Sequence, residues 1–111
     1  MTGVQTCALP ISGHVSYPAG SGAVSLEAAD LDSDGDLEIV VGNYYDFNLT
    51  ILNNNGDGTF VHQSDYFLNA QPFSTVASDF DGDGDLDIAT ANRGGDNVSI
   101  VFNNEIGRAH V

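Results

Sequence analysis

The sequence predicts an all-β fold, and three observations support this prediction. Glycine occurs 13 times in 111 residues and lysine is absent, a composition that fits a loop-rich β protein better than a helical one. Short runs of aliphatic and β-branched residues are separated by turns rich in glycine, asparagine and aspartate. Most of the chain is also present twice, because a shift of 49 positions aligns residues 17–55 with 66–104 at 15 identities in 39 positions.

The first repeat contains the pattern of four short strands, and the second repeat follows the same order but stops before the turn that leads to the fourth strand. No helix is predicted. In the first repeat the predicted strands cover residues 23–28, 37–42, 48–52 and 59–62, with an acidic segment between the first two. The turn at 53–58 is rich in residues that tolerate a positive φ. Four strands in a repeat of about fifty residues are typical of a propeller blade or of a comparable array. We therefore predict a partial β-propeller, with one complete four-stranded blade plus most of a second.

The repeat also predicts how the chain is organised. We expect residues 12–16 to be the tail of a preceding blade, residues 17–65 the first repeat and residues 66–104 a truncated second repeat. The segments 1–11 and 105–111 differ from the rest of the chain. Both can be encoded by one DNA string, read on one strand for the first segment and as its reverse complement for the second, and this string resembles a sequencing adapter. We interpret both as adapter-derived artefacts and leave them, with the single cysteine, Cys7, out of the reasoning on fold and redox compartment.

The charge of the chain is strongly negative and concentrated in two places. Sixteen acidic residues oppose two arginines, for a formal net charge of −14, and ten of the acids lie in two short segments. Such a chain repels nucleic acid and anionic membranes, and its natural partners are cations or basic surfaces. It also contains no apolar run long enough to be inserted in a membrane.

The two acidic segments have the pattern of calcium-binding loops. They read Asp-Leu-Asp-Ser-Asp-Gly-Asp-Leu-Glu from position 30 and Asp-Phe-Asp-Gly-Asp-Gly-Asp-Leu-Asp from position 79. Side chains at loop positions 1, 3 and 5 can turn inward around a cation, and the glycine at position 6 allows a sharp turn. Position 7 can offer its backbone carbonyl, and an acid at position 9 can close the shell. The predicted ligands are Asp30, Asp32, Asp34, Asp36 and Glu38 in the first loop and Asp79, Asp81, Asp83, Asp85 and Asp87 in the second, with Asp36 and Asp85 acting through the backbone.

Other interpretations of these loops differ in ligand type and at position 12. An EF-hand requires a bidentate acid at that position, whereas the two loops place Val41 and Thr90 there, within predicted strands. Magnesium prefers to keep its water, and zinc prefers the His and Cys ligands that the loops lack. The remaining alternative is a solvated acidic turn that binds nothing. Because the close carboxylates repel one another and a divalent ion offsets that repulsion, the sequence favours two Ca²⁺ sites.

The repeated segments resemble FG-GAP/VCBS repeats. The resemblance rests on Ala-Ala-Asp-Leu-Asp-Ser-Asp-Gly-Asp-Leu-Glu-Ile-Val-Val-Gly-Asn, on the turn Asn-Asn-Asn-Gly-Asp-Gly-Thr-Phe and on the second acidic loop, and it covers nearly all of residues 17–104. It implies an integrin-α-like β-propeller with calcium in the loop between the first two strands of a blade, held by the same ligands. Glu38 stands where aspartate is usual, so we expect its longer arm to shift the geometry of that site or to weaken it. The Phe-Gly and Gly-Ala-Pro signatures of the family are not clearly present, so the VCBS-type branch fits better than the integrin branch.

This resemblance implies a function in structure or in recognition. We expect a calcium-binding segment of a secreted or cell-surface propeller that serves adhesion, recognition or scaffolding, with calcium as one partner and a protein or carbohydrate ligand bound through the complete propeller. Calcium is abundant outside cells, where loops of modest affinity would be filled. The fragment contains no catalytic constellation, so we do not expect it to be an enzyme. The alternative is the non-catalytic propeller portion of a secreted carbohydrate-active or redox enzyme whose active site lies elsewhere.

Overall fold

The structure is a computed structural model that describes residues 13–103, in which seven β-strands and no helix are present. One antiparallel sheet consists, in this order, of β1 (Ala23–Ala29), β2 (Glu38–Asn43), β3 (Asn48–Asn54) and β4 (Phe60–Phe67). A second antiparallel sheet consists of β5 (Pro72–Ser78), β6 (Asp87–Asn92) and β7 (Asn97–Val101). The all-β prediction is thus confirmed for the described residues, whereas the interpretation of 1–11 and 105–111 as adapter-derived lies outside them.

The described part of the chain also contains no helix that is long and apolar enough to cross a membrane.

The fourth strand is longer than the sequence predicts. β4 pairs with β3 along its whole length, and a bulge accommodates Gln63 as an extra residue opposite the step from Ile51 to Leu52. Because unpaired backbone N–H and C=O groups are costly when they are buried, pairing continues as far as β3 offers partners. The strand therefore ends at Phe67 instead of at 62, and the connection 68–71 separates the two sheets.

A repeated asparagine fixes the turn between the second and third strands of each sheet. The buried side chain of Asn43 donates from Nδ2 to Asn48 Oδ1 at 2.9 Å and to Thr50 Oγ1 at 2.7 Å. Both bonds bridge β2 and β3, so one side chain closes the hairpin and satisfies its own amide. The second sheet repeats the two bonds, at 3.0 and 2.7 Å, with Asn92, Asn97 and Ser99.

The two sheets share one hydrophobic core. Its buried members come from both sheets and from the first acidic loop, and they are Ala29, Leu31, Val40, Leu49, Ile51 and Ile88. Polar contacts between β1 and β5 accompany this packing, because Ser25 Oγ lies 2.7 Å from Thr75 Oγ1 and the Ala77 N–H donates to Glu27 Oε2 at 3.1 Å. The sheets therefore pack face to face, with β5 against β1.

The aromatic loop between β2 and β3 lies at the edge of this interface. Tyr44 packs edge-on against Phe73 of β5, with ring centroids 6.5 Å apart, and the Arg93 guanidinium lies 5.5 Å from the centre of the same Phe73 ring. Tyr45 packs against Tyr44 but is 70% exposed. The loop thus joins the two sheets through Tyr44 and leaves Tyr45 facing solvent.

Removal of a core side chain that both sheets share should unfold them together. Ile88 is 0% exposed and packs in the common core, so we expect Ile88→Ala to lower the free energy of unfolding by about 2–5 kcal/mol. Urea denaturation in the presence of calcium measures this loss. Val98→Ala is the matched control, since Val98 is 65% exposed in the second sheet and its truncation should change the free energy by no more than about 0.5 kcal/mol. Equal losses in the two variants would show that the sheets do not share a core.

Candidate metal centre

Each acidic loop connects two paired strands, and the residue pair nearest the loop brings its two ends together. Ala29 of β1 pairs with Glu38 of β2, and Ser78 of β5 pairs with Asp87 of β6. The residue after each first strand begins the loop and the residue that opens each second strand ends it, so the sheet register brings loop positions 1 and 9 together. This placement follows from strand pairing and needs no interaction within the loop.

The loops gather their carboxylates into two compact clusters. In each cluster the four residues offer one ligand oxygen apiece, and these oxygens all lie within 4.8 Å of one another. The clusters consist of Asp30, Asp32, Asp34 and Glu38 in the first loop and of Asp79, Asp81, Asp83 and Asp87 in the second. These are the predicted ligands at positions 1, 3, 5 and 9, and the two loops place equivalent residues together.

The predicted position-7 residues are placed differently. Asp36 and Asp85 contribute no carboxylate to either cluster. Their backbone N–H groups donate to the position-5 carboxylates, Asp34 Oδ1 and Asp83 Oδ1, at 2.9 Å in both loops. Each of these residues therefore turns its backbone toward the cluster. A ligand role for their carbonyl oxygens stays a prediction.

The first aspartate of each loop organises the turn. In the first loop Asp30 accepts from the N–H groups of Asp34 and Gly35, at 3.2 and 3.0 Å. In the second loop Asp79 Oδ2 accepts from the Gly84 N–H at 2.8 Å. Both glycines lie at position 6 with φ near +92° and +93°, a conformation that glycine adopts without steric cost. The predicted sharp turn at position 6 is therefore present in both loops.

Position 4 also has a left-handed backbone, which the loop pattern did not predict. Ser33 has φ +62° and its equivalent Gly82 has φ +76°. The glycine in the second loop was the available signal, because a non-glycine residue with positive φ carries a steric cost that glycine avoids.

The position-9 acids are buried, and their two environments differ. Glu38 and Asp87 are both 0% exposed. Asp87 uses both oxygens, since Oδ2 accepts from the Phe80 N–H at 3.0 Å and Oδ1 from the Asn103 N–H at 2.7 Å. Glu38 Oε1 accepts from the Leu31 N–H at 2.9 Å, whereas Oε2 is buried without a hydrogen-bond partner.

The orphaned oxygen of Glu38 indicates that the first cluster fits a cation. A buried carboxylate oxygen that accepts no hydrogen bond has lost its water without replacement, which is costly unless a positive charge compensates. Within residues 13–103, carboxylates supply every member of the two clusters, and oxygen is the donor that Ca²⁺ prefers. His62 belongs to neither cluster and lies on β4, with Nε2 3.1 Å from Asp65 Oδ1. A zinc site therefore does not fit.

Desolvation raises the pKa of three cluster members, and neighbouring carboxyl groups add to the effect. Burial is the main cause that raises the pKa of Glu38 above its ordinary value. Desolvation in the loop, assisted by the neighbouring Asp34, raises the pKa of Asp32. The same causes, with Asp83 as the neighbour, raise the pKa of Asp81 to about 6. Each of these groups is less readily ionised than a free carboxyl group, and a bound cation would reverse that effect.

Backbone donors lower the pKa of two other members. The Asp36 N–H is the main cause that holds the pKa of Asp34 below its ordinary value. The Gly84 N–H does the same for the pKa of Asp79. The backbone therefore keeps one or more carboxylates ionised in each loop, which is the form that binds a metal ion.

Asn103 lies outside both acidic loops and contacts each of them. Asn103 is 0% exposed and donates to Asp87 through its backbone and to the Leu31 carbonyl through its side chain. Its signal in the sequence was its identity with Asn54, the residue 49 positions earlier. That identity indicated a repeated position, but the contact with Leu31 joins residues 72 positions apart and is visible only in the fold.

Comparisons with known proteins agree with the repeat pattern. A family model described as an FG-GAP-like repeat matches residues 30–90, more than half of the chain, and an FG-GAP repeat model matches residues 72–111. Together the matches include both acidic loops. No curated protein and no solved structure gave a significant match.

Calcium affinity should fall as the pH is lowered from 7 to 5. The pKa of Asp81 is about 6 in the metal-free loop, so below pH 6 calcium must displace a proton that is absent at pH 7. For one such proton the affinity of the second loop falls by about tenfold between pH 7 and pH 5. Calorimetric titration at the two pH values measures the fall, and titration at pH 6 in buffers of different ionisation enthalpy measures the released proton. An unchanged affinity with no proton release would contradict this assignment.

Proposed function

The chain belongs to the FG-GAP-like repeat family, and from this membership we propose that it is a calcium-binding segment of an extracellular β-propeller. In this proposal each acidic loop holds one Ca²⁺ between the first two strands of a blade. The propeller itself serves adhesion, recognition or scaffolding, and this segment contributes no catalysis.

The observation that carries the calcium assignment is the pair of equivalent carboxylate clusters. The two loops are 49 positions apart and place the same four loop positions within 4.8 Å. Four carboxylates at such separations repel one another strongly, and a divalent cation converts this repulsion into attraction. The buried Glu38 and its orphaned Oε2 add a group whose burial is costly without a cation.

The propeller assignment is supported by apolar positions that are buried in the first sheet and exposed at the equivalent places in the second sheet. Leu49 and Ile51 of the first sheet are 0% exposed in the core shared with the second sheet. The residues 49 positions later, Val98 and Ile100, are 65% and 44% exposed. They lie on the face of the second sheet that points away from the first, because side chains alternate along β7 and Val101 points to the core. The second sheet thus carries the apolar positions that would receive a further blade.

The chemistry of the loops supports the proposed extracellular location and non-catalytic role. Loops with a few carboxylates and modest affinity are filled where calcium is abundant, outside cells. Carboxylates that hold a cation are poor proton donors, so an acid–base role for the clusters is disfavoured. The proposed role of calcium is to neutralise the loops and hold the first two strands of each blade, while the ligand of the propeller binds elsewhere on it.

Calcium titration of the whole chain tests this proposal. We expect two sites in the wild-type protein and one site in either Asp34→Ala or Asp83→Ala, which remove the equivalent position-5 carboxylates. Magnesium at the same concentration is the control and should bind more weakly, since it keeps its water. A stoichiometry near zero in millimolar calcium would overturn the proposal.

Chelation gives an independent measure of the same sites. A ligand that binds only the folded chain stabilises it by about 2.7 kcal/mol for each site at a concentration of 100 times Kd. We therefore expect the thermal midpoint of the wild-type chain to fall when EGTA replaces calcium, and to fall less in each single-site variant. A midpoint that is the same in calcium and in EGTA would mean that calcium contributes nothing to folding.

A further inference from the structure

We propose that Asn103 couples the two calcium sites, so that filling one loop raises the calcium affinity of the other. This inference rests on the proposed function, because it concerns how the two sites of that proposal communicate. It adds a positioning residue that lies outside the acidic loops and that contacts both of them.

Asn103 makes one hydrogen bond to each loop. It follows β7 by two positions and is 0% exposed. Its backbone N–H donates to Asp87 Oδ1 at 2.7 Å, in the second cluster. Its side-chain Nδ2 donates to the Leu31 carbonyl at 2.6 Å, in the first loop. A single buried residue therefore connects the two loops, with its backbone bonded to the second loop and its side chain bonded to the first.

The Leu31 contact acts on the ligands of the first cluster. Leu31 lies between Asp30 and Asp32, and its own side chain is 0% exposed in the shared core. Its N–H donates to Glu38 Oε1 at 2.9 Å, while its carbonyl accepts from Asn103. The peptide groups on both sides of Leu31 are thus held, and they set the directions in which Asp30 and Asp32 leave the backbone.

The second loop is held at one equivalent point. Phe80 takes the place of Leu31, and its N–H donates to Asp87 Oδ2 at 3.0 Å. Asp87 also accepts a hydrogen bond from Asn103. Asn103 in turn donates to Leu31, so it connects Asp87 of the second loop to Leu31 of the first loop. The sequence of contacts runs from Glu38 through Leu31 and Asn103 to Asp87, and all four residues are 0% exposed.

The equivalent residue of the first repeat makes no such link. Asn54 lies 49 positions before Asn103, and its Nδ2 donates at 3.0 Å to the carbonyl of Leu37, which belongs to the first acidic loop, so this bond does not connect the two loops. This bond is exposed, whereas the bond from Asn103 to Leu31 is buried. The chain therefore contains a matched control for the proposed coupling residue, with the same amide in the same repeat position.

The coupling should be positive. A cation on Asp87 holds that carboxylate, and with it the backbone and side chain of Asn103, in one conformation. The first loop then binds its cation with part of its ordering cost already met, and by reciprocity the first site favours the second by the same factor. Because one buried hydrogen bond transmits the effect, we expect a coupling factor of roughly 2- to 10-fold.

A double-mutant cycle of calcium titrations measures this factor in the full 111-residue chain. Asp34→Ala and Asp83→Ala give the affinity of each site alone, and neither substitution touches Asn103. The factor is the product of the two wild-type binding constants divided by the product of the two single-site constants. We expect 2- to 10-fold in the wild-type background, the same value in an Asn54→Ala background and a factor near one in an Asn103→Ala background. The Asn103→Ala substitution keeps the backbone N–H that donates to Asp87 and removes the side-chain bond to Leu31.

A second measurement does not depend on the folding of the Asn103→Ala variant. In Asp34→Ala, where only the second loop can bind calcium, saturation should slow hydrogen exchange of the Leu31 amide in the first loop. Unchanged exchange at Leu31, a factor near one in the wild-type background, or the same factor in the Asn103→Ala background would overturn the coupling while leaving the two sites intact. Absence of any calcium binding would instead overturn the proposed function, and this inference with it.

Discussion

The rest of the structure depends on one constraint, which is the repulsion between carboxylates. The strand register places these carboxylates close together. Pairing of Ala29 with Glu38 and of Ser78 with Asp87 brings each loop back on itself. Four carboxylates per loop then offer oxygens within 4.8 Å. Desolvation, followed by the neighbouring carboxyl group, raises the pKa of Asp32 and of Asp81. The backbone offsets part of this effect through N–H donors, and a cation is the remaining means of offsetting it.

The first acidic loop is part of the packed structure, because it contributes a side chain to the core. Leu31, at the second position of the first loop, is 0% exposed in the core that both sheets share, and Glu38, at the ninth, is equally buried. Alternation along the loop thus sends the carboxylates to the cluster and the aliphatic residue to the core. A cation held by this cluster would therefore act on the packing between the sheets, and its binding would contribute to the folding free energy.

The two loops are similar in sequence but not equivalent in environment. Asp87 has a hydrogen bond to each oxygen, because the chain beyond β7 passes beside it and supplies Asn103. Glu38 has a longer side chain and one oxygen without a donor. The difference arises from what packs next to each loop, so repetition of a sequence motif does not ensure repetition of its energetics.

The sequence by itself determined the all-β class, the repeat, the positions of the strands and which carboxylates gather in each loop. These features depend on local patterns, namely alternation, turn residues and loop spacing, and they need no knowledge of distant contacts. The length of β4, the left-handed backbone at Ser33 and the role of Asn103 depended on the tertiary structure. Each requires a partner or a conformation that neighbouring residues do not specify: β3 along its whole length, a closed loop, and a carbonyl 72 positions away across the interface between the sheets.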